Sequence, residues 1–176
     1  GFFYDVLRLP DGRSERLKVR SMVGLLPLFA AVEIGPSLWE NLSDFRARVR
    51  WFIDNKPHLA GFCHYFAQDD RPSLIALVDA SRLRRVLARM LDEAEFLSPY
   101  GLRSLSRHHL DHPFTLAVEG GDARLDYEPA ESATGLFGGN SNWRGPIWFP
   151  MNFLLVESLQ RFHHYLGDGF TVELPT

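Results

Sequence analysis

Apolar residues recur along this chain at spacings that lay out its elements before any chemistry is considered. Phe2 to Leu9 alternates loosely, with Tyr4 and Val6 in it, and predicts a short strand or an extended arm turned by Pro10-Asp11-Gly12. From about Val19 to Ile34 the text is apolar almost all round, through Met22, Val23, Leu25, Leu26, Leu28, Phe29 and Val32. That predicts a helix buried on most sides, with a kink or a start at Pro27. Ser37-Leu38-Trp39-Glu40 reads as a capping box, and Leu38, Leu42, Phe45, Val49 and Phe52 follow at helical steps. Arg46, Arg48 and Arg50 of this one-faced helix turn to water, and Pro57 ends it.

A loop from His58 to Ser73 follows. Leu83, Val86, Leu87, Met90 and Leu91 predict a second amphipathic helix from about Asp79 to Ala94, broken by Ser98-Pro99-Tyr100-Gly101. Leu116 to Val118 and Arg124 to Tyr127 flank the hairpin-like turn Glu119-Gly120-Gly121-Asp122. The last helix runs from about Phe149 to Leu166, with Leu154, Leu155, Leu159 and Phe162 inward. All-apolar helices alternating with one-faced ones, joined by long loops and one hairpin, predict a mainly α fold in two concentric layers. No internal repeat or low-complexity segment interrupts this, and residues 1–176 read as one domain.

Composition narrows the function classes. The 176 residues suffice for one domain with a real core. A net charge of -3 gives no electrostatic reason for a nucleic-acid or acidic-membrane partner. The one cysteine, Cys63, excludes an internal disulfide and reads as a small apolar filler. There is no signal-like N-terminus and no apolar run long enough to span a bilayer. The chain opens without Met and stops just after a β-like run, so both ends are expected to be cut from something longer.

The richest chemistry lies in Gly135 to Trp148. Gly135, Gly138 and Gly139 permit a close backbone approach, and Asn140, Ser141 and Asn142 offer paired donors and acceptors. Trp143, Arg144 and Trp148 then place two indoles and a guanidinium ahead of a helix. Sugar rings have apolar faces that lie on aromatics and hydroxyl edges that need such polar partners. A plain turn docked on a core is the other reading of this loop. It is not a phosphate loop, since neither Gly-Lys-Ser/Thr nor Gly-x-Gly-x-x-Gly is present.

Asp5, Asp126, Glu128 and Glu131 are the carboxylates that glycoside hydrolysis could recruit, although loop acids are usually solvated or cap helices. His108, His109 and His112, and the pair His163-His164, have some metal-like spacing without a partner Cys or carboxylate at ligand spacing, which favours a surface or packing role. Ser98, Ser104 and Ser106 lack a Gly-x-Ser-x-Gly context.

Several runs carry a resemblance to glycoside hydrolase family 63. They are Gly-Phe-Phe-Tyr-Asp at 1–5, Arg-Ser-Met-Val-Gly-Leu-Leu-Pro-Leu-Phe at 20–29 and Glu-Phe-Leu-Ser-Pro-Tyr-Gly-Leu-Arg-Ser-Leu-Ser at 95–106. Asp-Tyr-Glu-Pro-Ala-Glu-Ser leading into Gly-Gly-Asn-Ser-Asn-Trp-Arg-Gly-Pro-Ile-Trp completes the set. That family includes processing α-glucosidases and bacterial mannosylglycerate hydrolases, while the Trp-Arg-Gly-Pro-x-Trp element is shared with other glycosidases such as trehalases.

The resemblance implies a partial (α/α)6 toroid and inverting hydrolysis of an α-glycosidic bond, with no cofactor and no metal. It implies an oligosaccharide or small glycoside as substrate, and a cytoplasmic, bacterial-like protein. Carried over by position, the sugar-binding residues would be Trp143, Arg144, Trp148 and Asn152, with Asn142, Tyr4 and Asp5 nearby. The family's acid and base would lie upstream of Gly1 and beyond Leu166, so no catalytic residue falls in this chain and the chain alone is expected to be inactive. A partial toroid would leave inner-helix faces such as Met22 and Leu26 wet, and self-association through them is expected. A non-catalytic carbohydrate-binding module and a helical scaffold are the competing readings.

Overall fold

The computed structural model describes residues 2–60, 64–65, 73–118, 121–128 and 146–174. In chain order their elements are β1 (Asp5–Arg8), β2 (Ser14–Leu17), a 3-10 segment Met22–Phe29, β3 (Ala31–Ile34), α1 (Pro36–Asn41), α2 (Ser43–Asn55) and α3 (Pro57–Ala60). Then come β4 (His64–Tyr65), β5 (Ser73–Ala76), α4 (Ala80–Met90), β6 (Leu97–Ser98) and β7 (Gly101–Leu102). A 3-10 turn Arg107–Leu110, β8 (Phe114–Val118), β9 (Gly121–Leu125) and α5 (Phe149–Leu166) complete the order.

About 45% of the structure is helical and about 23% is strand. The chain is therefore mixed α/β, and the expectation of a mainly α chain forming part of a toroid is overturned. The reason lies in the stretch from Val19 to Ile34. Pro27 has no N–H to give to a helical ladder, and the backbone tightens into a 3-10 segment there. Beyond it, β-branched Val32 and Ile34 enter strand β3, which pairs antiparallel with β5. An all-apolar text fits a buried strand as well as a buried helix, and here it holds both kinds of element.

The described residues form two compact units, one drawn from residues 1–26, 85–153 and 172–176, the other from 27–84 and 154–171. In the first, β1 and β2 make the hairpin expected around Pro10-Asp11-Gly12, with Asp5 opposite Leu17. Strands β8 and β9 make the second expected hairpin, with Phe114 opposite Leu125. Val19, Leu105 and Leu125 are buried together, and Phe114 and Tyr127 pack on them. The backbone of residues 103–106 runs between two partners. Ser106 N–H donates to the Arg20 carbonyl at 2.9 Å and Ser104 N–H to the Pro146 carbonyl at 3.1 Å.

The second unit holds the sheet of order β3-β5-β4. Trp39 of α1 is buried and its indole N–H donates to the Ser73 hydroxyl at 2.6 Å. Ser37 is not the cap of this helix: Gly35 stands at the N-cap and Pro36 in the first turn, with no side-chain capping bond. Leu42 breaks the expected single helix into α1 and α2. The predicted stripe on α2 is present but uncovered, with Phe45 45% and Phe52 39% exposed. Helix α5 runs over the predicted span, with Leu155, Ser158 and Phe162 buried, whereas Leu154 is exposed. Met22 is buried and Leu26 half-buried, so the wet faces expected there are not found.

Gly24 tests the packing of the first unit. A Cβ at this position would stand 2.3 Å from the Phe2 ring and 2.6 Å from the Phe3 carbonyl oxygen. The Phe2 ring in turn stacks on buried Phe96 at 5.6 Å. Gly24→Ala is expected to cost about 1–3 kcal/mol through overpacking, read as a lower urea midpoint. An unchanged midpoint would show that the N-terminal arm does not lie on Gly24.

Candidate functional site

Three stretches of the first unit meet at the start of α5. Pro150 in the first helical turn suits a position whose N–H would be unpaired anyway, and Asn152 follows it. The Asn152 Oδ1 accepts from Leu102 N–H at 2.7 Å. Its Nδ2 donates to the Leu102 carbonyl at 3.2 Å and to the Trp148 carbonyl at 3.1 Å. The side chain thus ties strand β7 to the residue just before the helix.

Leu102 ends a tight hairpin in which Ser98 pairs with Gly101 and Pro99-Tyr100 form the turn. Pro99 pre-sets the backbone for the second position of such a turn. The Ser98 hydroxyl donates to the Gly101 carbonyl at 2.6 Å and accepts from Tyr100 N–H at 3.2 Å. Gly101 takes φ +127°, and a Cβ on it would meet Asn152 Oδ1 at 2.9 Å and the Ile147 side chain at 3.3 Å. Ile147 also bridges Arg103 across the backbone. Around this knot stand three aromatics: Tyr100 is 86% exposed, Phe149 is 78% exposed and Trp148 is half-buried.

The seven residues expected to bind sugar divide into groups. Asn152 and Trp148 are brought together, although the Asn152 amide is committed to backbone rather than left open. Tyr4 is half-buried and packs edge-on to Phe2 at 5.4 Å. Asp5 is exposed at the start of β1. Asn142, Trp143 and Arg144 lie outside the described residues, as do Glu131, Cys63 and the glycines of the loop.

Of the carboxylates expected from the sequence, Asp126 is not poised as a proton donor. Asp126 receives both arms of the Arg124 guanidinium, at 2.8 and 2.9 Å. Those hydrogen bonds hold its carboxyl below the usual range, the opposite of what a general acid needs. Glu95, which sequence reasoning passed over, is buried and accepts from Arg20, from Arg89 at 2.6 Å and from the Ser106 hydroxyl at 2.6 Å. The signal for it was a carboxylate at the head of the run 95–106, whose polar Arg103, Ser104 and Ser106 sit among apolar residues. Arg103 adds to this knot by donating to the carbonyls of Glu93, Glu95 and Leu97.

Of the histidines, His109 is buried, while His112, His163 and His164 are exposed. His109 Nε2 accepts from Arg20 N–H at 2.9 Å, and its Nδ1 lies 2.9 Å from the His112 carbonyl, which can only accept. The ring is therefore the neutral Nδ1–H tautomer. Burial lowers its pKa from 6.5, the Arg20 charge adds to this, and the bond to the His112 carbonyl acts the other way. His108 stacks on His112 at 4.3 Å, and burial lowers its pKa as well. His163 faces Asp168 and His164 faces Glu33, each at 3.5 Å. Among the described residues no group of three or more His, Cys, Asp or Glu could hold a metal ion.

With the site laid out, comparison with known proteins gives the family. The sequence profile described as "Mannosylglycerate hydrolase MGH1-like glycoside hydrolase domain" matches residues 71–171. The chain belongs to this glycoside hydrolase family. An uncharacterized protein of Saccharomyces cerevisiae is 46% identical over 179 residues, covering 99% of this chain and 16% of its own length. A Schizosaccharomyces pombe protein named "Probable mannosyl-oligosaccharide glucosidase" is 33% identical over 118 residues, covering 65% of this chain and 11% of its own. This glycoside hydrolase domain thus spans a small part of the relatives it matches. No solved structure matches it. Both relatives are yeast proteins, which favours a eukaryotic over the expected bacterial-like source. No described helix is long and apolar enough to cross a membrane.

Two stability measurements follow. Glu95→Ala strands two arginines and a buried hydroxyl and is expected to cost about 3 kcal/mol, seen in the urea midpoint at pH 7. A loss within the range of a surface substitution would mean that the cluster is solvated. For His109 the folded pKa lies below the unfolded value of 6.5, so protons bind the unfolded chain preferentially. Its contribution is complete above that value and is lost as pH falls through 6.5 toward the folded pKa. The urea midpoint should decline between about pH 7 and pH 5, and His109→Gln should flatten the decline. Equal slopes in the two proteins would show that the ring is not held neutral.

Proposed function

We propose that this domain is part of an inverting α-glycoside hydrolase and supplies one wall of its saccharide-binding cleft. The wall is Trp148 with Trp143, Arg144 and Asn142 of the preceding loop, backed by Asn152, with Tyr4 and Asp5 on the N-terminal arm. The observation that supports this reading is the clamp of Asn152 on the main chain of Trp148 and Leu102, which ties the residue bearing one indole to the Tyr100 turn. Family membership and the printed name of the S. pombe relative support the reaction class.

The same reading makes the domain inactive by itself. Inversion needs one protonated and one ionised carboxyl about 6.5–9.5 Å apart with room for water. Asp126 is pulled the wrong way by Arg124, and Glu95 is saturated by Arg20, Arg89 and Ser106. On this reading, as the resemblance to family 63 implies, the acid and base come from polypeptide outside these 176 residues.

The test is an assay of the purified chain on aryl α-glucosides and α-mannosides, paired with calorimetric titration of methyl α-D-glucopyranoside and methyl α-D-mannopyranoside. No turnover, with saturable heat from one glycoside that Trp148→Ala removes, is expected. Turnover that Glu131→Gln or Asp126→Asn abolishes would place the chemistry inside the chain. Absence of heat from both glycosides would leave a scaffold.

A further inference from the structure

We infer that Tyr100 is a second saccharide-stacking residue of this wall, held ready by the Ser98–Leu102 hairpin. The inference rests on the cleft-wall reading and adds a contact that the loop chemistry did not suggest. Tyr100 is 86% exposed on the tip of a turn. A single exposed aromatic is ordinary. Here Phe149, 78% exposed, and half-buried Trp148 accompany it around one clamp.

The turn that presents Tyr100 is fixed at both ends. Ser98 Oγ bonds to both the Gly101 carbonyl and the Tyr100 N–H, at 2.6 and 3.2 Å. Leu102 is gripped through its N–H and its carbonyl by the Asn152 amide. That amide also bonds the Trp148 carbonyl, so a single side chain sets the spacing of the two aromatic residues. Gly101 lies so close to Ile147 and Asn152 that a methyl group there would collide with Asn152. None of these bonds involves the Tyr100 ring or hydroxyl.

An aromatic ring pre-set on a rigid turn loses little freedom when a ligand covers it. A tyrosine offers an apolar face for the C–H side of a pyranose and a hydroxyl for its edge. The ligand class is accordingly a pyranoside long enough to touch Trp148 and Tyr100 together, rather than a flat apolar molecule.

The experiment is an NMR titration of the 176-residue chain with methyl α-D-glucopyranoside, methyl α-D-mannopyranoside and, as an apolar control, cyclohexanol. Tyr100→Ala is expected to weaken pyranoside binding roughly tenfold, and Tyr100→Phe to stay within about twofold. Unfolding midpoints should be unchanged in both, because Tyr100 is 86% exposed. Undiminished binding by Tyr100→Ala, while Trp148→Ala loses it, overturns the inference and leaves the cleft wall standing. Cyclohexanol binding as tightly as the pyranosides overturns the stacking role. No response of the native chain to either pyranoside removes the cleft-wall reading and this inference with it.

Discussion

A carboxylate taken out of water must find its charge partners, and Glu95 finds them on three separate stretches of chain. Arg20 comes from the segment ahead of the 3-10 turn, Arg89 from the end of α4 and Ser106 from beyond β7. Leaving such a group unpaired costs far more than any one of its bonds contributes. The three stretches are therefore obliged to meet. Once they do, Arg103 can collect the carbonyls of Glu93, Glu95 and Leu97, and residues 103–106 can run beside Arg20 on one edge and Pro146 on the other. The aromatic knot at the head of α5 hangs on that backbone.

Elements whose signals are local were legible in the sequence. Pro10-Asp11-Gly12, the pairing of β8 with β9, the stripe of α4 and the span of α5 all answer to short-range rules, and each appears where those rules place it. The stretch from Val19 to Ile34 was misread because apolar content reports burial, not backbone geometry. Strand β3 exists because β5 lies beside it, and nothing near Ala31 in sequence announces Ser73. Likewise Ser37 has the chemistry of a cap, yet Pro36 before it sets the helix start two residues earlier.

The candidate site was half legible. Trp148 was selected on residue type and Asn152 through the family resemblance, and the two come together. What residue type could not convey is where the amide is spent: both of its ends go to main chain. Tyr100 was seen only as part of a helix-breaking turn, since exposure is a property of the whole fold. Glu95 and its arginines were invisible for a related reason, because their partners lie 75, 6 and 11 residues away along the chain.

Trp39 and Trp51 sit in the same short stretch yet in opposite surroundings. The first is buried, hydrogen-bonded to Ser73 and stacked near Phe45 at 5.9 Å, while the second lies open on α2. Excited at 295 nm, the two indoles would emit at different wavelengths. Beside the emission of Trp143 and Trp148, the native spectrum then holds a blue component from Trp39 that vanishes only when the sheet β3-β5-β4 opens and a red one from Trp51 that barely moves. Loss of the Trp39 component on denaturation would track the second unit in particular, and acrylamide would quench it less than the Trp51 component.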